Sequence, residues 1–244
     1  MGLGQAVQPA VPGAPAPRPA LEELAGRARP VSLARERLLP VLPPLASLLP
    51  EGGLRRGTVV EVSGSTSLAL ALLAEASSGG SWCAAVGLSS LGLVAAAELG
   101  IALDRFPLVA APPSADEWAW AVAALLDAID LVLARPPGPI GATRARRLAA
   151  RTRDRSAVLV VTAATSVWPE LADVRLSVTQ TAWEGVGQGH GCLRARRVDV
   201  EAEGRGAASR RRQASLWLPG PGGVVTTAQD APAAEDGRPT AAAG

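Results

Sequence analysis

The stretch of sequence that decides the fold is Gly57-Thr-Val-Val-Glu-Val-Ser-Gly-Ser-Thr-Ser-Leu68. Its β-branched residues predict a short strand over 58–62, and residues 68–76 have the leucine spacing of a buried helix. A strand, a turn of small residues and a helix N-terminus form the scaffold of a phosphate-binding loop. The sequence therefore predicts the remnant of such a loop at Gly64, Ser65, Thr66 and Ser67.

This remnant loop lacks the groups that handle a nucleotide. A working loop needs a second glycine and a lysine that reaches the β- and γ-phosphates. No second glycine follows Gly64 before Gly79, and all 24 basic residues of the chain are arginine. Thr66 or Ser67 remains as a cap for the helix. We therefore predict that the protein binds no ATP and no other cofactor, and that it is not an enzyme.

The amino-acid composition limits which classes of protein and of site remain possible. With 244 residues, 48% of them hydrophobic, and a net charge of +2, the chain is long enough for one large or two small globular domains. One histidine and two distant cysteines, Cys83 and Cys192, give no zinc-ligand spacing and no disulfide framework, so no metal is predicted. The uncharged stretch 76–97 is rich in serine and glycine, which argues against a membrane span. A cytoplasmic protein, with the nucleoid as an option, is expected.

Strand and helix patterns alternate through the middle of the chain. The predicted strands lie at 58–62, 82–86, 108–110, 129–133 and 157–161, and the predicted helices at 68–76, 93–99, 116–127 and 141–155. This order predicts an α/β fold with a mainly parallel sheet flanked by helices. Alternating segments at 173–179, 192–203 and 214–218 predict a C-terminal antiparallel meander. A slip in the alternation at Arg196-Arg197 predicts a β-bulge.

Composition shifts divide the chain into four parts. Residues 1–30 are rich in proline and alanine and are predicted to form a disordered leader. Residues 31–50 are predicted to form an N-terminal helix and an apolar segment that covers the core. The core itself is predicted over 51–220, followed by a disordered tail over 221–244.

The order of these segments resembles the core of RecA-type recombinases over about residues 50 to 218. The stretch Gly52-Gly-Leu-Arg-Arg-Gly-Thr-Val-Val-Glu-Val62 resembles the entry into the first core strand. Trp82-Cys-Ala-Ala-Val-Gly-Leu88 and the segment 95–104 resemble the second strand and its following helix. Ala128-Ile-Asp-Leu-Val-Leu133 occupies the place of the Walker B strand. The resemblance implies a RecA-like core.

The departures from the RecA pattern fall on the positions that handle nucleotide. RecA proteins carry an acidic residue after the second strand, where this chain has Val86-Gly-Leu-Ser-Ser90. After the Walker B strand an aspartate supports Mg²⁺, and here the chain continues as Ala134-Arg135-Pro136. The resemblance is thus to a RecA fold that has lost its ATP chemistry.

Three segments are similar to the ImuA-prime type of mutagenesis accessory proteins from high-GC bacteria: 59–70, 183–191 and 216–222. This resemblance implies a role in the SOS response and translesion synthesis, beside an ImuB-like protein related to Y-family polymerases. RecA and an error-prone DnaE-type polymerase are further expected partners. A RecA-like cell-division inhibitor and a weak single-stranded DNA-binding module remain alternatives.

Two arginine clusters, one on the predicted helix 141–155 and one on the meander, are candidate contact surfaces for DNA or an acidic partner. The candidates are Arg144, Arg147, Arg151, Arg194, Arg196, Arg197, Arg210, Arg211 and Arg212. The alternative is that they only solvate the surface of a protein without lysine. The net charge of +2 favours weak or indirect contact with DNA.

Two further features are weaker functional candidates. The glycine-rich segment 185–191 lies between antiparallel strands, so it predicts a hairpin loop rather than a dinucleotide fingerprint, and His190 within it has no metal-ligand partner. Trp118, Trp120, Trp168 and Trp183 offer surfaces for base stacking. The helical spacing of Trp118 favours a place in the core.

Overall fold

The computed structural model describes residues 37–169, 172–186 and 191–228. Its strands are β1 (Leu38–Leu39), β2 (Leu54–Arg55), β3 (Thr58–Ser63), β4 (Cys83–Val86), β5 (Leu108–Val109), β6 (Leu131–Ala134), β7 (Val158–Ala163), β8 (Val174–Val186), β9 (Gly191–Gly204), β10 (Arg212–Trp217) and β11 (Thr226–Thr227). Its α-helices are α1 (Pro43–Ala46), α2 (Thr66–Ser78), α3 (Leu93–Glu98), α4 (Ala115–Leu126) and α5 (Ala142–Asp154).

One nine-stranded sheet organises these elements, in the order β11-β10-β9-β8-β3-β7-β6-β4-β5. The strands from β8 to β5 in this order are parallel, and β8, β9, β10 and β11 pair antiparallel. This arrangement confirms the α/β fold class, with a mainly parallel sheet and a C-terminal antiparallel meander. The strand that leads into the remnant loop, β3, lies between β7 and β8.

Two hydrophobic layers cover opposite faces of the sheet. Helix α2 packs in the first layer, where Leu68 and Leu72 are fully buried among residues of β3, β8, β9 and β10. Helices α4 and α5 form the second layer, in which Trp118 and Leu148 are buried. Because α2 is buried on most of its surface, its sequence is apolar nearly all round, whereas α5 carries only a narrow apolar stripe.

A buried carboxylate, Glu61, lies in the middle of β3 and is 1% exposed. Its Oε1 accepts hydrogen bonds from the backbone N–H groups of Val167 (2.8 Å) and Trp168 (3.0 Å) and from the Ser166 hydroxyl (2.9 Å). Its Oε2 accepts one from Nε of Arg175 on β8 at 2.7 Å. Burial alone would raise the pKa of Glu61, but these hydrogen bonds outweigh it and lower the pKa below its ordinary value.

The ends of several elements differ from the prediction. Helix α2 begins at Thr66 rather than at 68, because the Ser65 hydroxyl caps it by accepting the Leu68 N–H at 3.2 Å. Strands β8 and β9 are 13 and 14 residues long, well beyond the predicted 173–179 and 192–203.

The predicted bulge at Arg196-Arg197 is wrong in its position. The register of the β8–β9 pair shifts at two other places: between Val178 and Gln180, where β8 has one extra residue, and between Glu184 and Val186, where residues 192–194 of β9 lie opposite one residue of β8. The slip in the β9 sequence has another cause. Ala195 and Val198 are both buried although they lie on opposite faces of the strand.

The two ends of the core also differ from the prediction. The predicted leader 1–30 and residues 31–36 lie outside the described residues. Residues 37–50 contain β1, which pairs with β2, and the single-turn helix α1, and they bury Leu45 and Leu48 in the first layer. The predicted tail over 221–244 begins too early, because Thr227 in β11 pairs with Leu216 in β10. Residues 229–244 lie outside the described residues.

Removal of the Glu61 carboxylate should strongly destabilise the fold. In Glu61→Ala the guanidinium of Arg175 and three further donors lose their acceptor, and breaking a buried ion pair in this way costs about 3–5 kcal/mol. Urea denaturation at neutral pH measures the change. Glu51→Ala, which removes an exposed ion pair with Arg55, should cost under about 1 kcal/mol.

The contribution of Glu61 should also depend on pH. Its pKa is lower in the folded state than the ordinary value of 4.5, so its stabilisation is complete above that pH and is lost as the pH falls through the folded-state pKa. The difference in free energy of unfolding between wild type and Glu61→Gln should therefore shrink in acid. A difference that stays constant from neutral pH into this range would contradict the assignment.

Candidate functional site

The remnant loop is a tight turn from β3 into α2. Gly64 alone separates the end of β3 from the N-cap Ser65. Its φ of +84° suits only glycine, and a Cβ at this position would lie 3.3 Å from Cβ of Val178. The Gly64 N–H donates to the carbonyl of Ala163 at 3.1 Å, which ties the turn to the end of β7. The turn is therefore much shorter than a loop that encircles phosphates.

Arg135, which directly follows β6, reaches the remnant loop from two strands away. Its Nη2 donates to Oγ1 of Thr66 at 2.6 Å, and β7 lies between β6 and β3. Gly87, with a φ of +77°, passes so close to Arg135 that a Cβ there would collide with the carbonyl oxygen of Arg135. The chain ends of β4 and β6 are thus packed together beside the loop.

Arg196 of β9 approaches the same helix terminus from the meander. Its Nη2 donates to Oγ of Ser65 at 2.9 Å, and its Nε donates to the carbonyl of Leu218 at 2.8 Å. The guanidinium carbon lies 5.5 Å from the centroid of the Trp183 ring, within range of a cation–π interaction. Burial lowers the pKa of Arg196 from its ordinary value.

Two guanidinium groups therefore contact the two hydroxyls at the N-terminus of α2. The first turn of this helix has no acidic residue, and the positive end of the helix dipole adds to the local positive charge. In a working loop a hydroxyl at this place contacts Mg²⁺, and here the Thr66 hydroxyl oxygen accepts a hydrogen bond from Arg135. Among the described residues no group of three or more His, Cys, Asp or Glu side chains could hold a metal. These contacts connect the N-terminus of α2 to the end of β6 and to the meander.

The first arginine cluster is largely neutralised by acids on the neighbouring helix. On α5, Arg144 donates to Asp116 of α4 at 2.7 Å, and Arg151 and Arg155 both donate to Asp127. Hydrogen bonds from Arg144 and Arg151 lower the pKa of Asp116 and of Asp127, respectively. Arg147 lies between these contacts, is exposed, and forms no ion pair with any residue that the structure describes.

The predicted second arginine cluster is not one surface. Arg196 and Arg197 follow each other on β9, so their side chains lie on opposite faces of the sheet. Arg211 forms ion pairs with Glu201 at 3.7 Å and with Glu203 at 3.5 Å.

The remaining meander arginines have separate environments. Arg212 donates to the carbonyls of Arg210 and Ala207, at 3.1 and 3.3 Å. Arg210 and Arg194 are exposed at different places, Arg210 before β10 and Arg194 near the start of β9. The candidate arginines thus include fixed groups, such as Arg196, and exposed groups available to a partner.

The outer parts of β8 and β9 form a two-stranded ribbon, defined here as residues 180–186 and 191–195. Strand β3 pairs with β8 only as far as Ser177, and β10 pairs with β9 only from Arg197 onward. The ribbon therefore extends past its neighbouring strands and exposes Trp183 (49%) and Leu193 (56%). His190 and most of the predicted glycine-rich turn lie outside the described residues.

The four tryptophans proposed for base stacking fall into two groups. Trp118 is 1% exposed and Trp168 is 5% exposed, so both belong to the core. Trp120 and Trp183 are 75% and 49% exposed and are accessible. Among the described residues no helix is long and apolar enough to cross a membrane.

The sequence patterns did not mark Arg135 or Glu61 as important residues. Arg135 was recognised only as a departure from the Walker B pattern, although its place at the carboxyl end of a parallel strand marks it as a site residue. Glu61 is the one charged residue in an apolar strand, and a charge at such a position needs buried partners.

The fold defines an α/β protein with a mainly parallel sheet flanked by helices, a C-terminal antiparallel meander and a tight turn from β3 into α2. Residues 47–170 match the family described as the MT3502 N-terminal domain. The uncharacterized protein Rv3395c of Mycobacterium tuberculosis (strain ATCC 25618 / H37Rv) is 33% identical over 144 residues, which cover 58% of this chain and 70% of that protein. The chain therefore belongs to the MT3502 N-terminal domain family. The matched residues include the loop, Arg135 and α5, and they end before the ribbon.

Arg196 should contribute to stability more than its exposed neighbours do. Arg196→Met removes charged hydrogen bonds to Ser65 and to the Leu218 carbonyl, which should lower the free energy of unfolding by about 1.5–3 kcal/mol. Arg194→Met, on the exposed part of the same strand, should change it by less than about 0.5 kcal/mol. Urea denaturation followed by circular dichroism measures both, and equal effects would contradict a fixed role for Arg196.

Proposed function

We propose that this protein is a non-catalytic RecA-like accessory protein in the DNA-damage response and induced mutagenesis. It resembles the ImuA-prime type and acts in translesion synthesis through partner proteins rather than through ATP. Its mycobacterial relative agrees with the actinobacterial group of that resemblance. A cytoplasmic location, in contact with the nucleoid, follows from this role.

The observation that carries the non-catalytic part is the pair of arginine contacts at the remnant loop. Arg135 binds Thr66, and Arg196 binds Ser65, so the hydroxyls at the helix N-terminus are engaged by cations of the chain itself. The strand ends that carry carboxylates in ATP-hydrolysing relatives of the fold carry serine, alanine and arginine here. The loop then serves as a fixed joint between the parallel sheet and the meander.

The ribbon is the element that we propose for partner binding. It projects beyond the core and exposes an aromatic and an aliphatic side chain, Trp183 and Leu193, next to the exposed Arg194. Tryptophan and arginine dominate the binding energy of protein interfaces. An ImuB-like protein is the first expected partner, with RecA and an error-prone DnaE-type polymerase as further ones. Contact with DNA is weak or indirect in this proposal.

Calorimetric titration with ATP and Mg²⁺ should give no heat of binding, and no phosphate should be released. The reason is that the chain has no lysine, and that Gly64 alone separates β3 from the N-cap Ser65, so the turn is too short to encircle phosphates. Arg135→Met serves as the matched variant, since it frees Thr66. Micromolar binding by the wild type would contradict the proposal, and its loss in Arg135→Met would assign that binding to the loop.

Changes on the ribbon should abolish capture of the ImuB-like protein of the same organism by the full-length chain. The double variant Trp183→Ala, Leu193→Ser removes the two exposed anchors. Val94→Ser serves as the control, because Val94 is 74% exposed on α3, the helix that follows β4 in the chain, and β4 lies four strand positions from β8. Circular dichroism verifies that both variants fold.

The same variants should separate the proposal from its alternatives in cells. The ribbon variant should lower damage-induced mutation frequency to the level of a gene deletion, while the control leaves it unchanged. Equal capture of partner by all variants, or a deletion that causes cell filamentation defects without altering mutation frequency, would refute the proposal.

A further inference from the structure

The seam between α4 and α5 is a second exposed surface, which the proposed function does not use. The two helices run side by side, because Asp116 near the start of α4 meets Arg144 near the start of α5, and Asp127 after the end of α4 meets Arg151 and Arg155. These contacts fix the register of one helix against the other.

Trp120 stands on the outer face of this helix pair. It is 75% exposed, the highest value among the large hydrophobic side chains that the structure describes. Its neighbours on α4 are alanines at 119, 121, 123 and 124. Ala119, Ala121 and Ala123 pack partly against the core below, so no large side chain next to Trp120 on α4 covers the indole, and tryptophan is among the residue types enriched at the energetic centres of interfaces.

One unpaired acid and one unpaired base flank Trp120. Helix geometry places Glu117, which is turned about 100° from Asp116, on the side of α4 away from α5. Asp116 and Arg144 contact each other and so mark one level along the helix pair. Trp120 lies about 6 Å further along α4, and Arg147 lies about 4.5 Å further along α5. Trp120 and Arg147 therefore lie at nearly the same level. The side chains of Glu117 and Arg147 are exposed and form no ion pair with a described residue, whereas Asp116 and Arg144 pair with each other.

We propose that this surface, consisting of Glu117, Trp120 and Arg147, binds a second copy of the chain across a two-fold axis. The two-fold axis lies in the plane of the interface and passes through Trp120. Rotation about this axis exchanges the Glu117 side of the surface with the Arg147 side. It therefore places Glu117 of one copy opposite Arg147 of its partner copy, and the reverse contact forms at the same time. The pattern of charges on this surface is complementary to itself. Binding of an acidic partner or of a single-stranded nucleic acid would not require such self-complementarity.

A polyanion fits this surface less well than a second copy does. Asp116 and Glu117 are exposed beside Trp120, and both would repel phosphate groups. Three of the arginines on α5 are already held by aspartates of α4. The dimer needs no displacement of these contacts, because neither Glu117 nor Arg147 takes part in them.

Sedimentation velocity of the full chain at rising concentration tests this inference, and it does so independently of the proposed function. We expect a reversible monomer–dimer equilibrium. Trp120→Ala should weaken the association constant about thirtyfold, the effect of losing an interface hot spot. Arg147→Glu and Glu117→Arg should each weaken it about tenfold or more, because like charges then face each other in two symmetric contacts.

The double variant Glu117→Arg, Arg147→Glu provides the decisive test, because it restores opposite charges across the axis. It should return the association constant to near the wild-type value. Trp82→Ala, which alters another half-exposed tryptophan, should leave it unchanged. A protein that stays monomeric at all concentrations overturns the inference. So does a dimer that Trp120→Ala does not weaken, or a charge swap that fails to restore association.

Discussion

The buried carboxylate of Glu61 is the interaction on which the rest of the structure depends. It lies in β3, the strand between β7 and β8, and its four hydrogen bonds come from the chain after β7 and from Arg175 on β8. The parallel half of the sheet and the meander meet at this point. A carboxylate can remain charged there because both of its oxygens accept hydrogen bonds, one of them from a guanidinium group. The remnant loop begins three residues further along the same strand, so its position follows from this anchor.

The sheet order then determines which groups meet at the loop. Parallel strands end at one edge, so Arg135 after β6 and the turn at Gly64 after β3 lie on the same side of the sheet. The meander brings Arg196 to this edge from the other direction. In an ATP-binding protein such an edge gathers a nucleotide and its metal. Here it gathers two guanidinium groups and two hydroxyls, which join three parts of the fold. We infer that the loop connects the parallel sheet to the meander instead of holding a nucleotide, and that partners bind at exposed elements of the fold.

The sequence predicted the fold well where one local signal was strong. The apolar strands at 131–134 and 158–163 and the amphipathic helix α5 lie close to their predicted positions, because burial on both faces, or a narrow apolar stripe, leaves a clear pattern. The length of the β8–β9 pair and the strand β11 were missed, because exposed ribbon residues and a two-residue edge strand carry no such pattern. The contacts of Arg135 and Arg196 depend on sheet order and could not be read from local sequence.

We propose that the loop, whose hydroxyls are hydrogen-bonded to the chain's own arginines, provides no nucleotide site. Thermal unfolding of the wild type with and without millimolar Mg²⁺ and ATP tests this claim most directly, because a ligand present at 100 times its Kd stabilises the folded state by about 2.7 kcal/mol. The account predicts the same melting temperature in both conditions. A rise of several degrees with ATP, absent with sodium sulfate at equal ionic strength, would contradict it.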